Sequence, residues 1–381
     1  MIDGDSCGGH GGAMGSEGPV EGRVRLRVEW DGMRVLGARV VSRRPQPQSL
    51  LQGRDLPAAA VILPRLYSVC GEAQGVAAQA LASAGELDAA RVRTWQERLR
   101  LETVREHLWR LGLDWTQATG QEPWSEWVRT LLHERERFLR DADASAQWAR
   151  QVQRQLYRGA GLETSDAFDP DALQAWIRAS GTPLSGLLQA LSSRLVGLGR
   201  GRFNPMPTGA SSDLLRELSG RLREDPDYHW RPDWSGQVFE MGPAARAEGG
   251  RQGVGPGATD VIDAWTRVTA RVEELHRLLG ELARGQPATG HLAVRVDGDA
   301  VLVAVEMARG TLVHWARLDA GKIAAYRIVA PTEWNFHPRG ACQQGLEGME
   351  ATGEGVLRTR VQHHVMALDP CVRYQLEVSG A

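Results

Sequence analysis

Apolar residues change their spacing twice along this chain, and that change limits what it can fold into. In VRLRVEWDGMRVLGARVV, residues 24–41, apolar residues alternate with charged or small ones about an Asp31-Gly32 turn, as in a two-stranded hairpin. Beyond residue 56 the period lengthens, and Leu101, Val104, Leu108 and Leu111 recur at threes and fours, as on one face of a helix. Further helices are expected near 124–158, 169–197 and 211–223, separated by the turn-forming stretches TGQEP, ETSDAFDPD and GRFNPMPTGASS. After Gly290 the alternation returns in HLAVRVDGDAVLVAVEMARG, with Asp297-Gly298 at the turn, and residues 291–381 read as strands and loops rather than helices. These periods predict an α+β fold, mainly helical, with an N-terminal β-hairpin and a strand-and-loop C-terminal part.

Residues 1–18 are Gly-rich and lack an apolar period, so they bury too little to offset the entropy of ordering; a disordered leader is expected there. Residues 19–381 read as one unit: a hairpin and entry (19–66), a helical body (67–290) and the strand-and-loop part (291–381). Tryptophans at helical spacing, such as Trp95, Trp109, Trp115, Trp124, Trp127, Trp148 and Trp176, read as packing material rather than a binding box. With 45 Lys plus Arg against 47 Asp plus Glu, the near-neutral balance gives no reason to expect nucleic acid or a membrane as partner. No apolar run approaches the roughly 20 residues of a bilayer span, and MIDGDSCGGHGG lacks the basic and apolar regions of a signal peptide, so a cytoplasmic protein is expected. The glycine-rich ARAEGGRQGVGPGATD carries no phosphate-loop or dinucleotide pattern between a strand and a helix, and no nucleotide site is read there.

Four cysteines, Cys7, Cys70, Cys342 and Cys371, are too scattered for a disulfide framework and read as free thiols or metal ligands. Cys7 and His10 fall in the leader and are read as solvated. Glu102, Glu106 and His107 in ETVREHLW, like His133 and Glu134, read as surface charge, because residues five apart do not share a helix face well enough for a two-ligand grip. The end of the chain carries Asp369-Pro370-Cys371, half of a ligand pair whose second cysteine would stand at Tyr374.

Taken in order, VEGRVRLRV, LLQGRD, RLYSVCGEAQ, FEMGPAAR, VEMARGTLVHW, GKIAAYRIVAPTEWNFHPRG and DPCVRY resemble the large subunit of nickel-iron hydrogenases. Over most of the chain the pattern is most similar to the HupK/HoxV group of hydrogenase maturation proteins. The resemblance implies a large-subunit-like fold and a site at RxCGxC and DPCxxCxxH, whose four thiolates are soft donors suited to nickel and to low-spin iron. Here Tyr67 replaces the first cysteine, Cys70 keeps the second, Cys371 keeps the third and Tyr374 replaces the fourth. By family position Cys70 matches a thiolate that bridges nickel and iron, and Cys371 one bound to nickel alone. A phenol is a hard donor with a pKa of about 10, so nickel and hydrogen turnover are not expected, and the protein is expected not to be an enzyme.

The resemblance assigns metal-ligand roles to Cys70 and Cys371, with Cys342 as a possible third thiol. Arg309, Pro331 and Thr332 are expected to line the bound group, and Glu21 matches a carboxylate that relays protons in the active family. PTEWN keeps Pro331, Thr332, Trp334 and Asn335 of the family's PTTWN. Gly340 replaces an Asp, Gln74 a His, and Gln48 and Glu377 the ligands of a separate structural metal. The implied function is a scaffold or carrier for an Fe(CN)2CO unit in maturation, with the hydrogenase large subunit precursor and HypC/HypD-type proteins as partners. Two alternatives are a metal-free docking chaperone that mimics the large subunit and a divergent nickel-iron hydrogenase.

Overall fold

The computed structural model describes residues 22–67, 69–83, 86–159, 170–207, 211–251 and 261–380. The alternating segment forms β1 (Arg23–Trp30) and β2 (Val35–Arg43), antiparallel, with Leu26 opposite Val40; Val24, Leu26, Val28 and Val40 are buried and the intervening arginines exposed. Helices α1 (Gln48–Leu51), α2 (Leu56–Leu66), α3 (Gly71–Ala82) and α4 (Ala89–Trp109) follow. A π-helical turn, Arg110–Trp115, joins α4 to α5 (Thr116–Thr119). Such a turn shifts the phase of the side chains that follow it. The body continues through α6 (Ser125–Arg140), α7 (Ala142–Tyr157), α8 (Pro170–Ala179), α9 (Pro183–Leu195), α10 (Ser212–Glu224), α11 (Pro243–Arg251) and α12 (Ala264–Ala283), with two-residue β3 (Gly201–Arg202) paired to β4 (Val261–Ile262). The expected stretch 124–158 is broken at Asp141, whose carboxylate caps α7 by accepting from Ala144 N at 2.9 Å.

Strands β5 (Leu292–Asp297), β6 (Ala300–Met307), β7 (Gly310–Asp319) and β8 (Lys322–Val329) form an antiparallel meander. One of its faces packs Val301, Val303, Val305 and Leu312 against α2 and α3; the other packs Leu302, Ala304 and Trp315 against α10. Burial on both faces explains why AVLVAVEM is a nearly unbroken apolar run. The remaining elements are α13 (Pro331–Asn335), α14 (Ala341–Leu346), α15 (Glu354–Leu368) and β9 (Arg373–Gly380).

The 15-residue α15 departs from the expectation of strands and loops beyond 291. Its second half buries His363, His364, Val365, Met366, Ala367 and Leu368 in succession, so no polar face interrupts the apolar residues and the 3.6-residue period is erased. β9 runs parallel to β1, Arg23 opposite Arg373, in a sheet ordered β2-β1-β9. One end of that sheet therefore gathers Gly22 before β1, Arg44 after β2 and Val372 before β9. Of the named tryptophans, Trp95, Trp115, Trp124, Trp148 and Trp176 are buried, while Trp109 is exposed. Among the described residues no helix is long and apolar enough to cross a membrane.

Candidate functional site

Cys70 precedes the first turn of α3 and Cys371 precedes β9, so each sulfur stands where a loop is pinned by a regular element. Cys371 Sγ accepts from Arg44 Nη1 at 2.8 Å and lies 3.1 Å from Thr332 Oγ1, which also accepts from Cys371 N at 3.4 Å. Pro331 supplies the first turn of α13 and Thr332 the second residue, both buried. Glu333, the next residue, grips Arg44 with both oxygens at 2.8 and 2.9 Å, and one of them also accepts from Ala330 N. Cys70 is buried, and burial followed by the charge of neighbouring Cys371 pushes its thiol well up. Cys371 is thus near enough for its charge to act on Cys70. Tyr67 adjoins them: burial lifts its phenol to about 12 against the pull of Arg44. Tyr374 is half-buried against the main helical core.

Arg309 sits at the two-residue tip between β6 and β7, where Met307 faces Gly310. Gly310 adopts φ +126°, and a Cβ there would lie 2.6 Å from Met241 Cβ, so only glycine lets the tip close over EMGP. The buried Arg309 guanidinium donates to Asp369 O at 3.1 Å, meets Asp369 Oδ1 at 3.2 Å and bonds Glu106 Oε2. Nε and Nη1 make these hydrogen bonds, while Nη2 meets Asp369 as an ion pair. Asp369, in the left-handed region at φ +53°, also pairs with Arg271 at 2.7 Å and with Arg110 from the π-helical turn. These guanidiniums overcome burial and hold its carboxyl far below the usual carboxylate range. Arg246 of FEMGPAAR buttresses the tip by bonding Glu274, Glu306 and the carbonyls of Met307 and Ala308.

The Glu102, Glu106 and His107 expectation is corrected: all three are buried. Glu102 accepts from Glu72 N and Ala73 N at 2.9 and 3.0 Å, fixing the helix that Cys70 begins, and His107 bonds Glu274 at 2.7 Å. Positions 102, 106 and 110 lie four apart, so one stripe of α4 and its continuation serves α3, Arg309 and Asp369 in turn. Burial and then Glu106 raise the Glu102 carboxyl to about 8. An acid whose folded pKa is raised contributes stability that is full below its ordinary 4.5 and is lost as pH climbs toward about 8. Urea denaturation at pH 5 and pH 8 should therefore show wild type losing stability over this interval, and Glu102→Gln losing less.

Gln74, in place of the expected His, directs its amide nitrogen at Cys70 Sγ, 3.7 Å away, while its oxygen lies 2.9 Å from His314 Nε2. The His314 Nδ1 then accepts from Tyr326 O–H at 2.8 Å, and burial holds the imidazole neutral by lowering its pKa to about 3. Cys342 lies elsewhere, in α14 within the main helical core, where its carbonyl is 3.0 Å from His364 Nε2. Glu21, the leader 1–18, Cys7 and His10 lie outside the described residues. Gln48 bonds the backbone of β8, at Tyr326 N and Ala324 O, and Glu377 pairs with Arg27 at 2.6 Å. At Gly340 a Cβ would sit 2.6 Å from Trp334 O, so this turn admits no side chain and supplies no carboxylate. Sequence reasoning missed Arg44, Glu333 and the α4 stripe; charges four apart between Leu101, Val104, Leu108 and Leu111 were the available signal for the last.

Residues 293–372 match the family model of nickel-dependent hydrogenases. The hydrogenase expression/formation protein HoxV of Cupriavidus necator is 32% identical over 365 residues, covering 89% of this chain and 92% of that protein. The hydrogenase expression/formation protein HupK of Azotobacter vinelandii is 29% identical, covering 94% and 98%. A chain of the reduced, active nickel-iron-selenium hydrogenase of Desulfomicrobium baculatum superimposes with a TM-score of 0.59 at 16% identity, covering 92% of this chain and 97% of that one. The fold is that of a hydrogenase large subunit.

Proposed function

Because the chain belongs to the HoxV/HupK family of hydrogenase expression/formation proteins, we propose that it acts in hydrogenase maturation as a non-catalytic carrier of an Fe(CN)2CO unit. One observation carries this reading: Cys371 bonds Arg44 and Thr332 and lies near enough to Cys70 and Arg309 for their charges to act on one another, while tyrosines stand at the other two thiolate positions of the motifs. Iron that arrives with three diatomic ligands needs few protein donors, and two sulfurs suffice for custody without the grip of a four-thiolate cage. The Arg309 guanidinium and the Thr332 hydroxyl are donors of the kind that suits cyanide nitrogens, which are anionic acceptors.

Cargo is taken from HypC/HypD-type proteins and passed to the large subunit precursor in the cytoplasm. Leu66 and Val69, exposed on either side of the Tyr67 segment, provide an apolar rim for that exchange. Infrared spectroscopy of the chain purified from cells containing the maturation machinery is expected to show cyanide and carbonyl stretching bands. Protein isolated from that background without those bands would reject the carrier role.

A further inference from the structure

We infer that Arg44, clamped by Glu333, is a resident organic cation hydrogen-bonded to the Cys371 sulfur, so that this sulfur can serve a charge-neutral Fe(CN)2CO unit and refuses a bare nickel dication beside it. Three observations carry this. The Arg44 guanidinium spends Nη1 on Cys371 Sγ at 2.8 Å and its other two nitrogens on Glu333, a forked pairing that fixes the plane of the group. Both partners are buried, Arg44 at 5% exposure and Glu333 at 0%, so water does not screen the charge. The stem of Arg44 packs directly over Gly22: a Cβ there would lie 2.6 Å from Arg44 Cγ and 3.0 Å from Val372 Cγ1, so the glycine makes the arginine's place.

A bare nickel dication bound to Cys371 would have to share that sulfur with the Arg44 guanidinium, whereas iron(II) carrying two cyanides brings no net charge. The charge pair also has a trace in the sequence, since Glu333 is the one position of PTEWN that departs from PTTWN. The Cys70 sulfur, by contrast, faces the neutral Gln74 amide at 3.7 Å rather than a guanidinium.

This deepens the carrier reading by naming what the site excludes, and its test uses nickel ion alone, so the iron bands and the nickel result fail independently. Purified apo chain is titrated with Ni2+, following thiolate-to-nickel charge-transfer absorption and the metal retained after desalting. Wild type and Arg44→Lys are expected to show no nickel signal that Cys371→Ser removes. In Arg44→Met/Glu333→Gln, and in Arg44→Gln, such a signal appears with affinity about a hundredfold or more above wild type and disappears when Cys371→Ser is added. Circular dichroism establishes that each variant is folded. Nickel bound by wild type through Cys371 would overturn the inference, whatever becomes of the variants, and so would a folded charge-free variant that gains none.

Discussion

Replacing either Cys70 or Cys371 by Ser is expected to abolish the cyanide and carbonyl infrared bands and to lower hydrogenase maturation in cells by about tenfold or more. A serine hydroxyl is a hard, weakly acidic donor, and with only two sulfurs in the pocket the loss of one halves the anchorage. The fold should survive. The Cys371 sulfur accepts from Arg44 and neighbours Thr332 Oγ1, both of which a hydroxyl can satisfy, and Cys70 faces the Gln74 amide. Thermal unfolding should therefore change by no more than about 1 kcal/mol, separating loss of cargo from loss of structure. Maturation unchanged by both substitutions would instead support a docking chaperone. Stoichiometric nickel with hydrogen-dependent dye reduction in wild type would support a divergent hydrogenase.

Asp369→Asn is expected to be the most destabilising conservative substitution at the site, at about 3–5 kcal/mol. Asn tolerates the left-handed backbone found at φ +53°, so the cost is electrostatic rather than conformational. The carboxylate is buried and faces Arg110, Arg271 and Arg309; its removal leaves those guanidiniums packed against one another with Glu106 as the nearest remaining counter-charge on Arg309. Two residues further on is Cys371, so the same change should loosen the sulfur and weaken the infrared bands in parallel with stability. The sign of the pH effect follows from the depressed carboxyl: its contribution is present above the ordinary value of 3.8 and is lost as pH falls below it. Denaturation of wild type and variant should therefore converge in acid and diverge near neutrality.

What could be read from sequence was what local pattern encodes. The hairpin, the meander and the helical body follow from period, and Cys70, Cys371, Arg309 and Thr332 follow from motif. Arg44 carries no local mark, because its meaning depends on Glu333 nearly three hundred residues away and on a sheet whose third strand comes from the other end of the chain. Glu102 and Glu106 resemble an ordinary solvated pair, and only the arrival of α3 and the β6–β7 tip turns them inward. α15 was hidden for the opposite reason, since the buried run from His363 to Leu368 leaves that half of the helix without the contrast that reveals one.

The parallel pairing of β9 with β1 has a consequence for how such a molecule is made. The strand that follows Cys371 reaches its neighbour only after more than three hundred intervening residues have been translated and laid down, a closure of very high contact order. A nascent or truncated chain can build the Cys70 helix and still present β1 as an open edge. Synthesis thus orders the site: the Cys70 helix can form before the strand after Cys371 finds its partner.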